Sequence, residues 1–262
     1  MKKRQFSIGA VSDSGNVREN NQDNILALVG EDEEGEFGLF AIADGMGGLA
    51  EGHIASLIAV TSLKQWWHSE VPSLFMENVN GSAFLDRLDK LFRLINAQII
   101  EYSAKASAKM GTTLSVLFLS KNYYYVGHIG DSRIYQLNPK TFLQATEDHS
   151  WVGEQVRGGN LSEKEAKVHP RRNLLTQCLG ITLEICPYFS SGEYFEDLFL
   201  LCSDGFYNEL PDDLLYEQMQ AVQTGRVQPQ GAINYLAKVI KSQTASDNLS
   251  AILVTVAKND SF

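Results

Sequence analysis

Long apolar runs are missing from this 262-residue chain, and no window approaches the roughly 18 consecutive apolar residues of a membrane-spanning helix. The basic start, Met1-Lys2-Lys3-Arg4, is not followed by an apolar h-region, because Ser7, Gly9, Ser12 and Asp13 interrupt it. No signal peptide is therefore expected. Cysteine is scarce: Cys178, Cys186 and Cys202 form an odd, sparse set that does not make a disulfide framework and fits a reducing cytoplasm. Repeats, low-complexity tracts and Pro/Ser-rich linkers are also absent, so one domain over 1–262 is expected. Positive charge is in the minority, with 22 Lys and Arg against 32 Asp and Glu and a net charge of −10, which removes the electrostatic footprint of a nucleic-acid binder. A hydrophobic content of 44% is enough for a core and excludes intrinsic disorder.

Several catalytic signatures are lacking as well. A cysteine phosphatase needs an Arg six positions after its reactive Cys, but Glu184, Gly192 and Asn208 stand there. No Asp-x-Asp pair exists for an aspartyl-phosphate enzyme, and no Gly-Lys-Ser/Thr for a P-loop. Gly45-Met46-Gly47-Gly48-Leu49-Ala50 reads as G-x-G-x-x-A, a dinucleotide-binding pattern. Asp44 would sit beside the pyrophosphate, however, and a second helix follows where a βαβ unit needs a parallel strand.

What is present is an alternation of strand groups and helix pairs. Phe6, Ile8 and Ala10 alternate with Ser7, Gly9 and Val11, and Asn24–Val29 and Phe37–Ala43 are apolar runs of strand length. A helix is expected from about Leu49 to Trp67. Phe84, Leu88, Leu91, Phe92, Ile95, Ile99 and Tyr102 recur at helical spacing. Residues 112–119, 122–129 and 132–137 read as strands so closely spaced that antiparallel hairpins are expected at Ser120-Lys121-Asn122 and at Gly130-Asp131. Residues 147–180 are polar and irregular, with one short helical stretch at Ser162–Val168. Leu198–Cys202 is a buried strand, helices are expected near 212–222 and 231–242, and Leu249–Val256 is a closing strand. The pattern predicts an α+β fold, a four-layer αββα sandwich of two antiparallel β-sheets packed face to face with helices on the outside.

The chemistry concentrates at strand ends. Asp44 ends a buried strand and is followed by Gly45-Met46-Gly47-Gly48; a carboxylate and an accessible glycine carbonyl there offer two oxygens to a hard cation. Taken alone, Asp44 could equally be a helix N-cap in a Gly-rich turn. Leu198–Cys202 runs into Ser203-Asp204-Gly205, Asp247 stands before the closing strand, Asp131 lies in His128–Arg133 and Asp23 follows Arg18–Gln22. Each is an ordinary turn aspartate by itself. Five together make an oxygen-only set whose mutual repulsion calls for a cation, Mg²⁺ or Mn²⁺ rather than zinc.

On these pieces the chain resembles the metal-dependent protein phosphatases, the type 2C serine/threonine phosphatases, in their compact bacterial form. The matching segments are RENNQD (18–23), ADGMGG (43–48), MGTT (110–113), HIGDSR (128–133), HPRRN (169–173), CSDG (202–205) and Asp247-Asn248, in the family's order over nearly the whole chain. The resemblance implies hydrolysis of phosphoserine and phosphothreonine in proteins by a metal-bridging hydroxide, without a covalent intermediate. It implies two Mn²⁺ or Mg²⁺ ions, with a third, weaker one in bacterial members. Asp44 would bridge the pair, the Gly45 carbonyl would bind one ion, Asp204 and Asp247 would hold the other, and Asp23 would act directly or through water. Asp131 would help hold the third ion, and Arg18 would grip the substrate phosphate, bidentately as its planar fork allows. Residues 147–180 correspond to the family's variable flap.

Two departures stand out. Met46 occupies the place of a histidine that eukaryotic relatives are proposed to use as general acid, leaving that acid unidentified, and Asn208 replaces an acidic residue that completes the third site in some members. A pseudophosphatase would have lost metal ligands, whereas Asp44, Gly45, Asp204 and Asp247 are all present. His53 and His68 read as helix-surface residues, His128 as a structural histidine, and Arg171 and Arg172 as partners of nearby carboxylates. The expected partners are phosphorylated proteins, including a serine/threonine kinase, with no nucleic acid and no membrane, for a cytoplasmic monomer.

Overall fold

Leu39 to Ala43 are each fully buried, and a strand buried on both faces must be covered on both. The computed structural model describes residues 3–47, 51–76, 81–243 and 245–259. In chain order these form β1 (Lys3–Asp13), β2 (Asp23–Asp32), β3 (Gly35–Gly47), α1 (Glu51–Ser69), α2 (Val71–Met76), α3 (Gly81–Ala106), β4 (Met110–Thr112), β5 (Leu114–Ser120) and β6 (Tyr123–Ile129). There follow β7 (Arg133–Leu137), β8 (Phe142–Gln144), α4 (Trp151–Arg157), α5 (Glu163–Val168), β9 (Tyr188–Glu193), β10 (Leu198–Cys202), α6 (Asp204–Tyr207), α7 (Asp212–Gln223), α8 (Pro229–Ser242) and β11 (Leu249–Asn259). The expected helix start at Leu49, and Gly48 of the glycine motif, lie outside the described residues.

The strands form two antiparallel sheets, β8-β7-β10-β11-β1 and β2-β3-β5-β6-β9, with β4 added to the end of β3. They are joined by a single parallel contact, Arg4 opposite Gly35. Side-chain alternation then builds the layers. Leu39, Ala41, Ala43, Leu114, Val116 and Phe118 pack outward against α1 and α3. Phe40, Ile42, Leu117 and Leu119 point inward and meet Ile134, Phe199, Leu201, Ile252 and Val254 of the other sheet. Leu198, Leu200, Cys202, Ala251 and Leu253 face outward onto Leu215, Met219, Ile233, Leu236 and Ile240 of α7 and α8. The result is the four-layer sandwich the pattern predicts. Because β3 lies between the antiparallel partners β2 and β5, no βαβ unit exists around the G-x-G-x-x-A pattern.

Three expectations are corrected. Ser120-Lys121-Asn122 is a hairpin between β5 and β6, but Gly130-Asp131 is not. β6 pairs only with β5 and β9, and β7 with β8 and β10, so this short link is a corner from one sheet to the other, turned at Gly130 with φ +113. The flap holds a second helix, α4, capped by Ser150, whose Oγ accepts from the Gly153 amide. Its α5 is as expected, with a capping box of Ser162 and Glu165. Strand β9 was not anticipated, because it is an edge strand without a fully buried residue and so lacks the alternation that marks a strand.

His128 is the penultimate residue of β6, beneath the corner. Its Nε2–H donates to the Gly130 carbonyl (3.0 Å) and its Nδ1 accepts from the Ser115 hydroxyl (2.8 Å), and its ring stacks on His149, which stands beside Asp148. Burial first, and then His149, push its pKa down to about 3, against the opposing pull of Asp148. Between that value and the unfolded value of about 6.5 only the unfolded chain takes up the proton. This contribution to stability is therefore present above about pH 6.5 and lost as pH falls. The fall in melting temperature from pH 7.5 to 5 is expected to be larger in the wild type than in His128→Gln; equal falls would remove His128 from the acid response.

Candidate active site

Asp23 begins β2 and Asp44 lies directly opposite it in β3. Like charges facing each other across a ladder repel, so their backbones need firm support. Asp44 has it: its amide donates to Thr113 Oγ1 (2.9 Å), and its carbonyl accepts from the Thr113 amide (2.9 Å) and the Thr112 hydroxyl (2.9 Å). Thr113 thus fills the break between β4 and β5. Gly45 is packed so closely against α1 that a Cβ there would stand 2.1 Å from the Gly52 carbonyl oxygen, which only glycine avoids.

The other sheet supplies Asp204, the first residue of α6 just past β10, and Asp247 just before β11, two strands that are paired neighbours. Asp131 arrives from the corner between the sheets, over Tyr207, whose hydroxyl donates to the Asp131 carbonyl (3.1 Å). Arg133 lies over the same Tyr207 ring (3.9 Å) and forks Asp148 at 2.7–3.1 Å. All five predicted aspartates therefore meet at one end of the sandwich and feel each other's charge. Burial, then Asp23, Asp204, Asp131 and Asp247, raise Asp44 well above the carboxylate range. Burial lifts Asp23 to about 7 against the Ser250 and Ser203 hydroxyls, with Asp204 and Asp247 adding to the rise. Burial and Asp247 lift Asp204 to about 6, while the Gly205 amide and a hydrogen bond with Asp44 hold it down. Burial, Asp204 and Asp148 raise Asp131 well above the ordinary range against Arg133.

The set is not a closed cage. Among the described residues no three His, Cys, Asp or Glu groups stand close enough together to enclose an ion. Two side chains are engaged elsewhere. Arg18 forks Asp247, with Nε on Oδ1 at 3.0 Å and Nη2 on Oδ2 at 2.9 Å, so the residue expected to grip phosphate is here paired with a carboxylate. The Ser203 hydroxyl donates to Asp23 Oδ2 (2.9 Å). Asp23 Oδ1, by contrast, is buried with no partner, an acceptor whose desolvation a cation would offset. An oxygen-only donor set with surplus negative charge and one orphaned buried oxygen fits a hard divalent ion.

Sequence reasoning missed the groups that hold the aspartates. Thr113 and Ser203 lie inside quoted motifs without having been given a role, and the hydroxyl-rich strand ends were their only signal. Arg171 and Arg172 form no ion pair among the described residues, contrary to expectation. Arg171 lies over the Trp151 ring (5.1 Å), which also stacks on His169. His53 and His68 are exposed on α1, as expected.

Comparison with known proteins gives the family. A family model described as protein phosphatase 2C matches residues 16–241. The serine/threonine phosphatase stp of Listeria welshimeri is 32% identical over 246 residues, covering 93% of both chains. The protein phosphatase PhpP of Streptococcus pneumoniae is 32% identical, covering 97% of this chain and 99% of its own. Among solved structures, the serine/threonine phosphatase of S. agalactiae matches with a TM-score of 0.82 at 30% identity over 95% of this chain and 99% of that one. The catalytic domain of the phosphatase PstP in complex with 2 manganese ions matches with a TM-score of 0.80 at 28% identity, covering 97% and 100%. The chain belongs to the protein phosphatase 2C family. It is accordingly a metal-dependent hydrolase acting on phosphoserine and phosphothreonine of proteins.

Crowded carboxylates make a prediction for the protein stripped of divalent ions. Asp44→Asn keeps the shape, removes the charge that the carboxylate carries when ionised, and gives Asp204 an amide donor in its place. At pH 8 in EDTA its melting temperature should rise above that of the wild type, by about 2–4 °C for each kcal/mol of repulsion relieved. A fall would mean that the carboxylates do not strain one another.

Proposed function

We propose that the aspartates at this end of the sandwich hold the metal ions, and that the chain hydrolyses phosphoserine and phosphothreonine in proteins by direct attack of water on phosphorus. The reading is carried by one observation: five aspartates from both sheets and the corner between them converge at one end of the sandwich, where Asp23 Oδ1 is buried with no partner. Asp44 would serve both of two Mn²⁺ or Mg²⁺ ions, the Gly45 carbonyl one of them, and Asp204 and Asp247 the other, with Asp23 behind them. Asp131, Asp204 and Asn208 line one cavity of about 510 Å³, which supports a third, weaker ion there. When bound, such ions lower the pKa of water and neutralise phosphoryl oxygens.

The chain's own side chains supply the rest. Arg18 binds the phosphoryl group through its planar fork, exchanging Asp247 for phosphate, and fixes the group for in-line displacement. No side chain acts as nucleophile: burial and Asp131 push the Cys178 thiol up to about 11, which leaves it un-ionised. Met46 cannot supply a proton and His128 is committed to Ser115 and Gly130, so the leaving oxygen takes its proton from solvent. The flap at 147–180 contributes one wall of the cavity beside Asp131 and Asp204, where the substrate protein would lie. The whole would be a single catalytic domain over 1–262, acting as a monomer on phosphorylated proteins, a serine/threonine kinase among them. The three free thiols support a cytoplasmic, reducing setting for a signalling role.

EDTA should abolish turnover of a phosphothreonine peptide and Mn²⁺ restore it; chelator-resistant turnover would contradict the metal assignment. At saturating Mn²⁺, Arg18→Ala should raise KM by about tenfold while changing kcat far less, because the fork binds phosphate in ground and transition states alike. An unchanged KM would take Arg18 out of the phosphate site.

A further inference from the structure

We infer that Asn248 is a positioning residue for Arg18, an inference that rests on the reading of Arg18 as the phosphate-binding side chain. Residues 14–22 form the loop between β1 and β2, with Arg18 at its centre. Asn248 is 6% exposed and spends its whole carboxamide on that loop. Its Oδ1 accepts from the Gln22 amide (2.8 Å), and its Nδ2 donates to the Ser14 carbonyl (3.1 Å) and the Asn20 carbonyl (3.0 Å). Both limbs are thereby buckled by one side chain, Ser14 on one side of Arg18 and Asn20 and Gln22 on the other.

The fastening continues in both directions. Asn16 donates its amide to the Ala245 carbonyl (2.9 Å) and its Nδ2 to the Lys241 carbonyl (2.8 Å), docking the loop on the segment that leads to Asp247. The Gln22 carbonyl accepts from the Gly45 amide (3.2 Å) and the Ser56 hydroxyl (2.6 Å). The Gln22 backbone therefore links Asn248 to the Asp44-Gly45 stretch of β3. Asn248's own amide donates to Asp247 Oδ1 (2.9 Å), the carboxylate that Arg18 forks.

The residue type follows from this geometry. One acceptor and two donors at the end of a single short stem is the inventory of Asn. Alanine would leave the Gln22 amide and two carbonyls without their partner. An aspartate would still accept from Gln22 but would set a negative oxygen against the Ser14 and Asn20 carbonyls. Asn248 touches no reacting atom, so its effect on the reaction passes through where the loop holds Arg18.

A double-mutant cycle tests this, with Arg18→Ala, Asn248→Ala and both together, assayed on a phosphothreonine peptide at saturating Mn²⁺. Asn248→Ser, which keeps one hydroxyl, replaces the alanine variant if that one does not fold. Asn248→Ala should raise KM several-fold, about as far as tenfold, with a smaller change in kcat, and amide exchange across residues 14–22 should speed up. In the Arg18→Ala background the Asn248 change should add almost nothing to KM. If the effects on KM multiply instead, or if loop exchange does not change, Asn248 is a packing residue and the inference falls while Arg18 keeps its role. If Arg18→Ala alone leaves KM unchanged, the phosphate-binding reading fails first and this one fails with it.

Discussion

Repulsion between carboxylates gathered at one end of the sandwich, most of them withdrawn from water, is the constraint around which this molecule is arranged. Asp23 and Asp44 face each other across one ladder, and Asp204, Asp247 and Asp131 close in from the other sheet and its corner. Asp23, Asp204, Asp131 and Asp247 all raise the proton affinity of Asp44, and Asp204 and Asp247 raise that of Asp23. Such an arrangement persists only if the backbone beneath it cannot relax. The support is visible: Thr112 and Thr113 pin Asp44, Ser203 holds Asp23, and Gly45 sits where no other residue fits. Behind these contacts, three apolar layers fix the strand ends in place. Stability spent on the sandwich is thus converted into a fixed concentration of negative charge.

Cations meet that charge in two ways. Arg18 already offsets Asp247 from within the chain, and a hard divalent ion is the external counterpart. The guanidinium neutralises one carboxylate of the cluster and lies at its solvent-exposed edge.

Much of the fold was legible in the sequence because strands buried on both faces read as continuous apolar runs: Phe37–Ala43, Leu114–Leu119 and Leu249–Val256 announce themselves. So did the amphipathic stripe of α3 and the aspartates that end the strands. What escaped detection had a physical reason. Spacing alone cannot distinguish a hairpin from a corner, and the two residues between Ile129 and Ser132 fit both; only pairing with the distant β10 decides. Edge strand β9 and helix α4 have too little buried surface to pattern their sequences. The hydroxyl and amide groups that brace the aspartates are invisible for another reason: Ser, Thr and Asn are common in turns, and their partners lie in remote segments, as with Ser203 and Asp23 or Asn248 and Gln22.

The corner at Gly130-Asp131 bears on how the protein comes into being during synthesis. β7 cannot pair with the strand just before it; β8 covers one of its edges at once, but the other stays open until β10, more than sixty residues downstream. β1 in turn finds its long antiparallel partner only in β11. A chain emerging from the ribosome can complete the β3-β5-β6 pairing early, but it carries β7 with one open edge until residues 198–202 have been made, and β1 until the strand at 249–259 has followed. Such waiting edges are where a nascent polypeptide invites wrong pairings, so this half of the sandwich is where chaperone assistance would matter most.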